Sequence, residues 1–200
     1  MTTLLIATHN PGKFEEYIPI LEDLPLTLTS LREEGISLLL EECGRNYAEN
    51  AILKARAYAR ASGLLTLADD SGLEVKALGG EPGIFSSRYG GAGASDEDKY
   101  NLLLERMKAI PWEERKALFQ CVAALATPQG QVEIAEGTCE GFIAFAPRGE
   151  HGFGYDPVFY LPRYDCTMAQ LEPEVKNRIS HRAQAASKIT GVLERLTLSP

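Results

Sequence analysis

The stretch LADDSGL, residues 67–73, places two adjacent carboxylates, Asp69 and Asp70, after an apolar run and before a Ser-Gly pair. The apolar run predicts a buried strand that ends at these carboxylates, and Gly72 allows a tight turn after it. Ligands of open α/β sheets bind beyond the carboxyl ends of strands, so this strand end is a candidate for chemistry. Because neighbouring side chains of an extended segment point to opposite faces, we expect one carboxylate to face a cleft and a Mg²⁺ ion and the other to be held by backbone donors. Taken alone, the stretch is more typical of an Asp-rich turn.

The composition is that of an ordinary globular protein, because 44% of the 200 residues are hydrophobic and 24% are charged. We expect residues 1–200 to form a single domain of two lobes that share a sheet. The net charge of −8 argues against nucleic acid as a partner, since proteins that bind phosphate backbones usually have a basic surface. It is compatible with a small phosphorylated ligand, which needs only a local basic pocket or a divalent metal.

The cysteine pattern and the hydropathy indicate a cellular location. The four cysteines are widely spaced and form no C-x-x-C pair, which is typical of reduced residues in a cytosolic protein. We expect neither a signal peptide nor a membrane-spanning segment, because no apolar run is long enough to span a bilayer. We therefore expect a cytoplasmic protein that has no membrane partner.

Strands alternate with helices along most of the chain. The clearest helix covers 46–62, with a cap at Asn46 and a closing Gly63. Residues 73–78 are predicted to leave the acidic turn as a separate strand, and 79–93 form a glycine-rich loop. Strands interleaved with helices and one hairpin predict an α/β fold with a mixed central sheet and flanking helices. The other predicted strands cover residues 3–7, 26–28, 117–126, 132–138, 141–146 and 158–161, and the other predicted helices begin near Pro11, Ser95 and Pro173, the last being interrupted near Ser180.

Three of these helices are predicted to bury one apolar face, because their apolar residues recur at helical spacing. The residues predicted to point inward are Phe14, Tyr17, Ile18 and Leu21 in the helix from Pro11, Leu102, Leu103 and Met107 in the helix from Ser95, and Ala183, Ala186, Ile189 and Leu193 in the final helix.

The segment THNPGK, residues 8–13, joins the first predicted strand to the first predicted helix. Backbone N–H groups at a helix N-terminus, together with a glycine and a lysine, can bind a phosphate. The segment is not a Walker A loop, because Ala7 stands where the first glycine is required and Phe14 replaces the Ser or Thr. A plain turn with Asn10 as the helix cap is an equally good interpretation.

Two acidic pairs end apolar runs and could supply metal ligands. Mg²⁺ prefers oxygen ligands and usually takes one or two carboxylates together with phosphate oxygens and water. The pair at 41–42 could join the pair at 69–70 in this role, although alone it is typical of a solvated surface. Asn50 and Lys54 lie four residues apart on one helix face and could reach the same place. Their spacing alone is more typical of a solvated surface.

Two motifs near the end of the chain could recognise a base. In GFGYDP, residues 152–157, an aromatic ring between glycines can be approached closely, and a base stacked on it gains roughly 1–3 kcal/mol. A turn with a buried Phe is the alternative. In the second motif Ser180 is a natural helix cap that puts His181 and Arg182 in the first turn, where the helix dipole disfavours cations. A locally unfavourable arrangement of this kind points to function.

Five motifs occur in order: THNPGK (8–13), ENAILKA (49–55), ADDSGL (68–73), GFGYDP (152–157) and SHR (180–182). With these motifs the chain resembles the inosine triphosphate pyrophosphatase family, the non-canonical purine nucleoside triphosphate pyrophosphatases, from about residue 3 to about residue 195. The resemblance implies a Mg²⁺-dependent homodimer of elongated α/β subunits, each with two lobes around a nucleotide-binding cleft. It also implies hydrolysis of ITP, dITP and XTP to the monophosphate and pyrophosphate, which removes them from the nucleotide pool.

The resemblance further assigns roles to single residues. Asp70 would be the general base, and Glu42 and Asp70 the metal ligands. The implied substrate contacts are Thr8, His9, Asn10, Pro11, Gly12 and Lys13 in a phosphate loop, Lys54 and Ser71 beside the metal, and Phe153, Gly154, Tyr155, Asp156, Lys176, His181 and Arg182 around the base.

Base selection should follow hydrogen-bond polarity. Inosine and xanthine present an acceptor at the 6-position, to which Arg182 or His181 can donate. Adenine presents an amino donor there, which leaves the donors of the site unpaired at a cost of about 1–3 kcal/mol each. The competing interpretations are a related pyrophosphatase with another base preference and a nucleotide-binding regulatory module without catalysis. We expect the homodimer contact near the glycine-rich segment 79–93.

Overall fold

The computed structural model describes the backbone of residues 2–198 and the side chains of residues 2–193. Its strands and helices alternate as the sequence predicts. The elements are β1 (Thr2–Ile6), α1 (Pro11–Leu21), β2 (Leu26–Ser30), α2 (Tyr47–Ser62), β3 (Leu65–Val75), α3 (Asp96–Arg106), β4 (Lys116–Ala126), β5 (Val132–Ile143), β6 (Phe159–Leu161), β7 (Cys166–Thr167), α4 (Pro173–Ile179) and α5 (His181–Leu198).

One mixed sheet contains all seven of these strands, in the order β2-β1-β3-β4-β5-β6-β7. β1 runs parallel to β2 and to β3, whereas β6 runs antiparallel to β5 and to β7. Parallel neighbours need a crossover, which α1 supplies between β1 and β2. The predicted α/β fold with a mixed central sheet and flanking helices is confirmed. None of the described helices is long and apolar enough to cross a membrane.

The strand that carries the acidic pair does not end there. β3 continues through Ser71 and Gly72 to Val75, so the predicted turn is wrong, and the strand predicted over 73–78 is the end of β3 and stops at Val75. The physical reason is that Leu73 and Val75 are fully buried, which gives a second set of apolar anchors beyond the Ser-Gly pair. The two carboxylates therefore lie in the middle of a strand.

Glycine also misled the prediction for β5, which is one strand over Val132–Ile143 and not two strands over 132–138 and 141–146. A Cβ on Gly141 would lie 2.6 Å from the carbonyl oxygen of Tyr160 and 2.7 Å from the Phe159 ring. A Cβ on Gly137 would lie 2.1 Å from the carbonyl oxygen of His181. These glycines permit close packing inside a strand and do not interrupt it.

Two of the residues predicted to point inward do not. Ile18 on α1 is 44% exposed and Leu102 on α3 is 39% exposed. Tyr17 and Leu103, their neighbours in sequence, are buried. The buried face of each helix is therefore narrower than the apolar spacing indicates.

The chain divides into two compact units, each with its own apolar core. Unit 1 comprises residues up to Asp70, Cys121–Gly137 and the residues from Ser180 onward, and unit 2 comprises Ser71–Gln120 and Thr138–Ile179. The core of unit 1 includes Leu4, Ile6, Tyr17, Leu67, Cys121 and Ile189, and that of unit 2 includes Leu73, Leu103, Phe119, Ile143, Phe159 and Met168.

Candidate active site

The segment 8–13 forms the N-terminal entry to α1 in unit 1. The side chain of Asn10 caps the helix by accepting a hydrogen bond from the backbone N–H of Lys13, at 3.2 Å. The Thr8 hydroxyl accepts from the Asn10 N–H at 3.1 Å, and Pro11 is the first helical residue. The predicted strand, loop and helix start are therefore confirmed, and the helix presents backbone N–H groups at this end.

Asp69 lies at the centre of a buried ion-pair network in unit 1. Its Oδ2 accepts from Lys13 Nζ at 2.8 Å and from Arg182 Nη2 at 3.3 Å. Arg182, at the start of α5, also pairs with Glu16 on α1. Asp69 is 3% exposed and Arg182 is 2% exposed. Side-chain cations hold Asp69, which corrects the expectation that backbone donors do so.

Asp70, the next residue of β3, faces different partners. Asn50 Nδ2 donates to its Oδ2 at 3.0 Å, and Lys54 Nζ lies 3.2 Å from its Oδ1. Lys54 Nζ also lies 2.8 Å from Glu42 Oε1. Two carboxylates from separate parts of the chain thus meet at one ammonium group. Asn50 and Lys54 point to the same place, as their spacing on α2 allows.

The two neighbouring aspartates have oppositely shifted pKa values. Burial alone would raise the pKa of Asp69, but Lys13, Arg182 and Lys54 outweigh it and hold that pKa far below its usual value. Burial raises the pKa of Asp70, and Lys54 and Lys13 offset this only in part. Neighbouring acids whose pKa values are driven apart are suited to different roles. The environment of Asp69 favours the charged form, whereas burial disfavours the charged form of Asp70.

The donor set in unit 1 fits a magnesium site that the substrate completes. Among the side chains of residues 2–193, no three His, Cys, Asp or Glu groups cluster as an all-protein metal site would require. Mg²⁺ commonly uses only one or two carboxylates and takes its other ligands from phosphates and water. Glu42 and Asp70, which already converge on one cation, meet that requirement.

A second group of predicted site residues lies in unit 2. Asp156 Oδ2 accepts from the backbone N–H of Phe153 at 3.0 Å and pairs with Lys176 Nζ. The same Nζ lies 5.0 Å from the centre of the Phe153 ring, a cation–π distance. A Cβ on Gly152 would lie 2.1 Å from Asp156 Oδ2, so the glycine is required for this turn. These contacts connect the loop to Lys176 on α4.

Two further contacts fix that loop from outside it. The N–H of Gly154 donates to Asp96 Oδ2 at 2.8 Å, at the start of α3. The Tyr155 hydroxyl donates to the carbonyl oxygen of Ser86 at 3.0 Å. The sequence prediction did not include Asp96 or Ser86, because their contacts with the loop join residues 58 and 69 positions apart.

The predicted residues therefore form two groups, one in each unit. The phosphate loop, Glu42, Lys54, Asp70, His181 and Arg182 belong to unit 1. Ser71, the segment 153–156 and Lys176 belong to unit 2. Glu16 and Tyr58, which contact residues of the first group, are absent from the sequence prediction. The sequence could have indicated Tyr58, because it lies four residues after Lys54 and therefore on the same face of the predicted helix.

Similarity to known proteins is consistent over nearly the whole chain. The Ham1 family model matches residues 4–192. The dITP/XTP pyrophosphatase of Bacillus subtilis is 45% identical and covers 97% of this chain and 98% of its own length. A Thermus thermophilus protein of the same name is 51% identical over 91% of this chain and 87% of its own length. The structure of a HAM1 protein from Coxiella burnetii has a TM-score of 0.87 and 42% identity, with 98% of this chain and 100% of that one covered. The resemblance seen in the five motifs is confirmed, and the chain belongs to the Ham1 family.

Proposed function

We propose that this chain hydrolyses the non-canonical purine nucleoside triphosphates ITP, dITP and XTP to the nucleoside monophosphate and pyrophosphate. One observation carries the proposal: Glu42 and Asp70 converge on Lys54. Unit 1, which holds this group, also holds the helix N-terminus of the phosphate loop. The relatives named dITP/XTP pyrophosphatase support the substrate class.

In the proposed reaction Glu42 and Asp70 hold a Mg²⁺ ion. When bound, this ion would stabilise the negative charge that develops on the phosphate oxygens. Asp70 orients the attacking water and accepts its proton, and its contacts with Asn50 and Lys54 hold the carboxylate in place for this role. Lys13 and Lys54 stabilise the pyrophosphate as it leaves.

Base recognition is assigned to two sets of residues. Phe153 supplies stacking, which any purine base can use, because every base has a π-face. His181 or Arg182 donates to the 6-oxo group of hypoxanthine or xanthine. The contacts of Arg182 with Glu16 and Asp69 orient its guanidinium group and keep it charged. The resemblance also leads us to propose a homodimer.

Hydrolysis of ITP by the purified chain, with and without Mg²⁺, tests the proposal. We expect turnover in Mg²⁺, loss of turnover in excess EDTA, and recovery when Mg²⁺ is restored, because the two carboxylates need a metal to act on phosphate. ATP and GTP under the same conditions are the controls and should be poorer substrates. Undiminished hydrolysis in EDTA would contradict the metal role, and equal rates for ITP and ATP would contradict the substrate class.

A further inference from the structure

The segment of residues 36–44 is part of the connection between β2 and α2, contains no helix or strand, and carries Glu42. Apolar burial does not hold it in place, since Leu38 is 41% exposed and Leu39 is 78% exposed. A loop without a regular ladder and without buried apolar anchors opens at low cost unless polar contacts fix it. The position of Glu42 therefore depends on those polar contacts.

Three side chains on one face of α2 supply them. Asn50, Lys54 and Tyr58 are spaced by four residues and form a single stripe on the helix. Asn50 Oδ1 accepts from the N–H of Gly44 at 2.8 Å, and Lys54 pairs with Glu42. The Tyr58 hydroxyl lies 3.0 Å from the carbonyl oxygen of Leu38. The stripe thus contacts the segment near its start, at Glu42 and at its end.

The segment passes close to α2 at its C-terminal end. A Cβ on Gly44 would lie 2.5 Å from Asn50 Oδ1 and 2.9 Å from the backbone nitrogen of Asn50. Only glycine permits this approach without a shift. This end is therefore fixed by close packing as well as by a hydrogen bond. Near the other end the Ile36 N–H donates to the Leu31 carbonyl oxygen at 2.8 Å, and Tyr58 and His9 contact the Leu38 carbonyl oxygen.

The Tyr58 hydroxyl also contacts the phosphate loop. It lies 3.0 Å from His9 Nε2, and that nitrogen lies 3.2 Å from the Leu38 carbonyl oxygen. A carbonyl oxygen only accepts, so the hydroxyl is the donor in its contact with Leu38, whereas the direction of its contact with His9 Nε2 depends on the imidazole tautomer. Tyr58 is 2% exposed, whereas Leu38 is 41% exposed, so a buried tyrosine supplies the hydroxyl that holds an exposed part of the segment. One hydroxyl therefore joins α2, the phosphate loop and the segment that carries Glu42.

We propose that Tyr58 is a positioning residue, whose hydroxyl fixes the segment 36–44, and with it Glu42, relative to His9 and Lys54. The catalytic part of this statement rests on the proposed function, because it concerns the role of Glu42 in hydrolysis. The structural part, that the hydroxyl holds the segment closed, does not.

The test is Tyr58→Phe, which removes the hydroxyl and retains the buried ring. The control is Tyr160→Phe on β6, in unit 2, which removes a hydroxyl that donates to Asp165. The first readout is thermolysin cleavage in nucleotide-free protein, because this protease cuts before leucine and the segment contains Leu38, Leu39 and Leu40. We expect cleavage there to be roughly three- to tenfold faster in Tyr58→Phe, because losing the net stabilisation of about one hydrogen bond raises the open population of the segment by that factor. Cleavage should be unchanged in the control.

The second readout is the steady-state kinetics of ITP hydrolysis. We expect kcat of Tyr58→Phe to fall by roughly three- to tenfold while KM for ITP is unchanged, since the hydroxyl positions Glu42 and does not stabilise the bound nucleotide. Unchanged cleavage of the segment, or equal effects in Tyr160→Phe, would overturn the proposal. Faster cleavage with an unchanged kcat would overturn the catalytic part. If the wild-type chain does not hydrolyse ITP, the proposed function fails, and the cleavage rates alone decide whether Tyr58 holds the segment.

Discussion

Replacing Asp70 with asparagine is expected to lower kcat for ITP by about 10²–10⁴-fold, the contribution typical of a positioned general base. The substitution retains the size of the side chain, and Lys54 keeps its contact with Glu42. The amide cannot accept the proton of the attacking water, and it is a weaker metal ligand. The loss should therefore appear in kcat at saturating ITP and Mg²⁺, with the thermal unfolding temperature close to that of the wild type.

The matched control is Asp165→Asn, the same chemical change between β6 and β7. Asparagine tolerates the positive φ of 53° at this position, so the fold should be unaffected. We expect this variant to hydrolyse ITP at the wild-type rate. Near-normal turnover by a folded Asp70→Asn protein would show that Asp70 is not the base.

Replacing Asp69 with asparagine is expected to destabilise the fold by about 3–5 kcal/mol, the cost of removing one partner from a buried ion pair. Lys13 and Arg182 would lose their shared anion, although Arg182 would keep its pair with Glu16. In a chain of this length the unfolding temperature should fall by roughly 10 °C. Differential scanning calorimetry at pH 7 measures it.

The effect of this substitution should depend on pH in a defined direction. The pKa of Asp69 is lowered in the folded state, so the anion contributes stability above the unfolded pKa of about 4 and loses that contribution as the pH falls below it. The gap in unfolding temperature between wild type and Asp69→Asn should therefore narrow in acid. Glu105→Gln, which removes an exposed partner of Lys108, is the control and should cost about 1 kcal/mol or less. An Asp69→Asn variant no less stable than this control would contradict the role of Asp69.

Local sequence patterns were sufficient to predict the helix ends that neighbouring residues determine. Asn10 and Asn46 cap their helices, and Gly63 ends α2 in the left-handed conformation, as their positions predict. The strand–loop–helix unit over 2–21 follows from an apolar run, a cap and Pro11. Glycine was misleading where its role is set by a distant neighbour, because Gly141 makes room for Phe159 and does not break β5.

In the candidate site, too, contacts that follow from local spacing could be predicted, and contacts between residues far apart in the sequence could not. The spacing of Asn50 and Lys54 indicated a shared face, and the structure brings that face to Asp70 and Glu42. The partners of Arg182 could not be predicted, because Glu16 is 166 positions away and Asp69 is 113 positions away. Pairings at such separations depend on how the chain folds back, and no local pattern encodes them.

The central claim is that this chain cleaves a purine nucleoside triphosphate between its α- and β-phosphates. The most direct measurement is the identity of the products of ITP hydrolysis by the purified chain in Mg²⁺, with nucleotides separated by chromatography and phosphates identified by ³¹P NMR. We expect IMP and pyrophosphate in equal amounts, and little product from Asp70→Asn. IDP and orthophosphate, or no hydrolysis of ITP at all, would contradict the central claim.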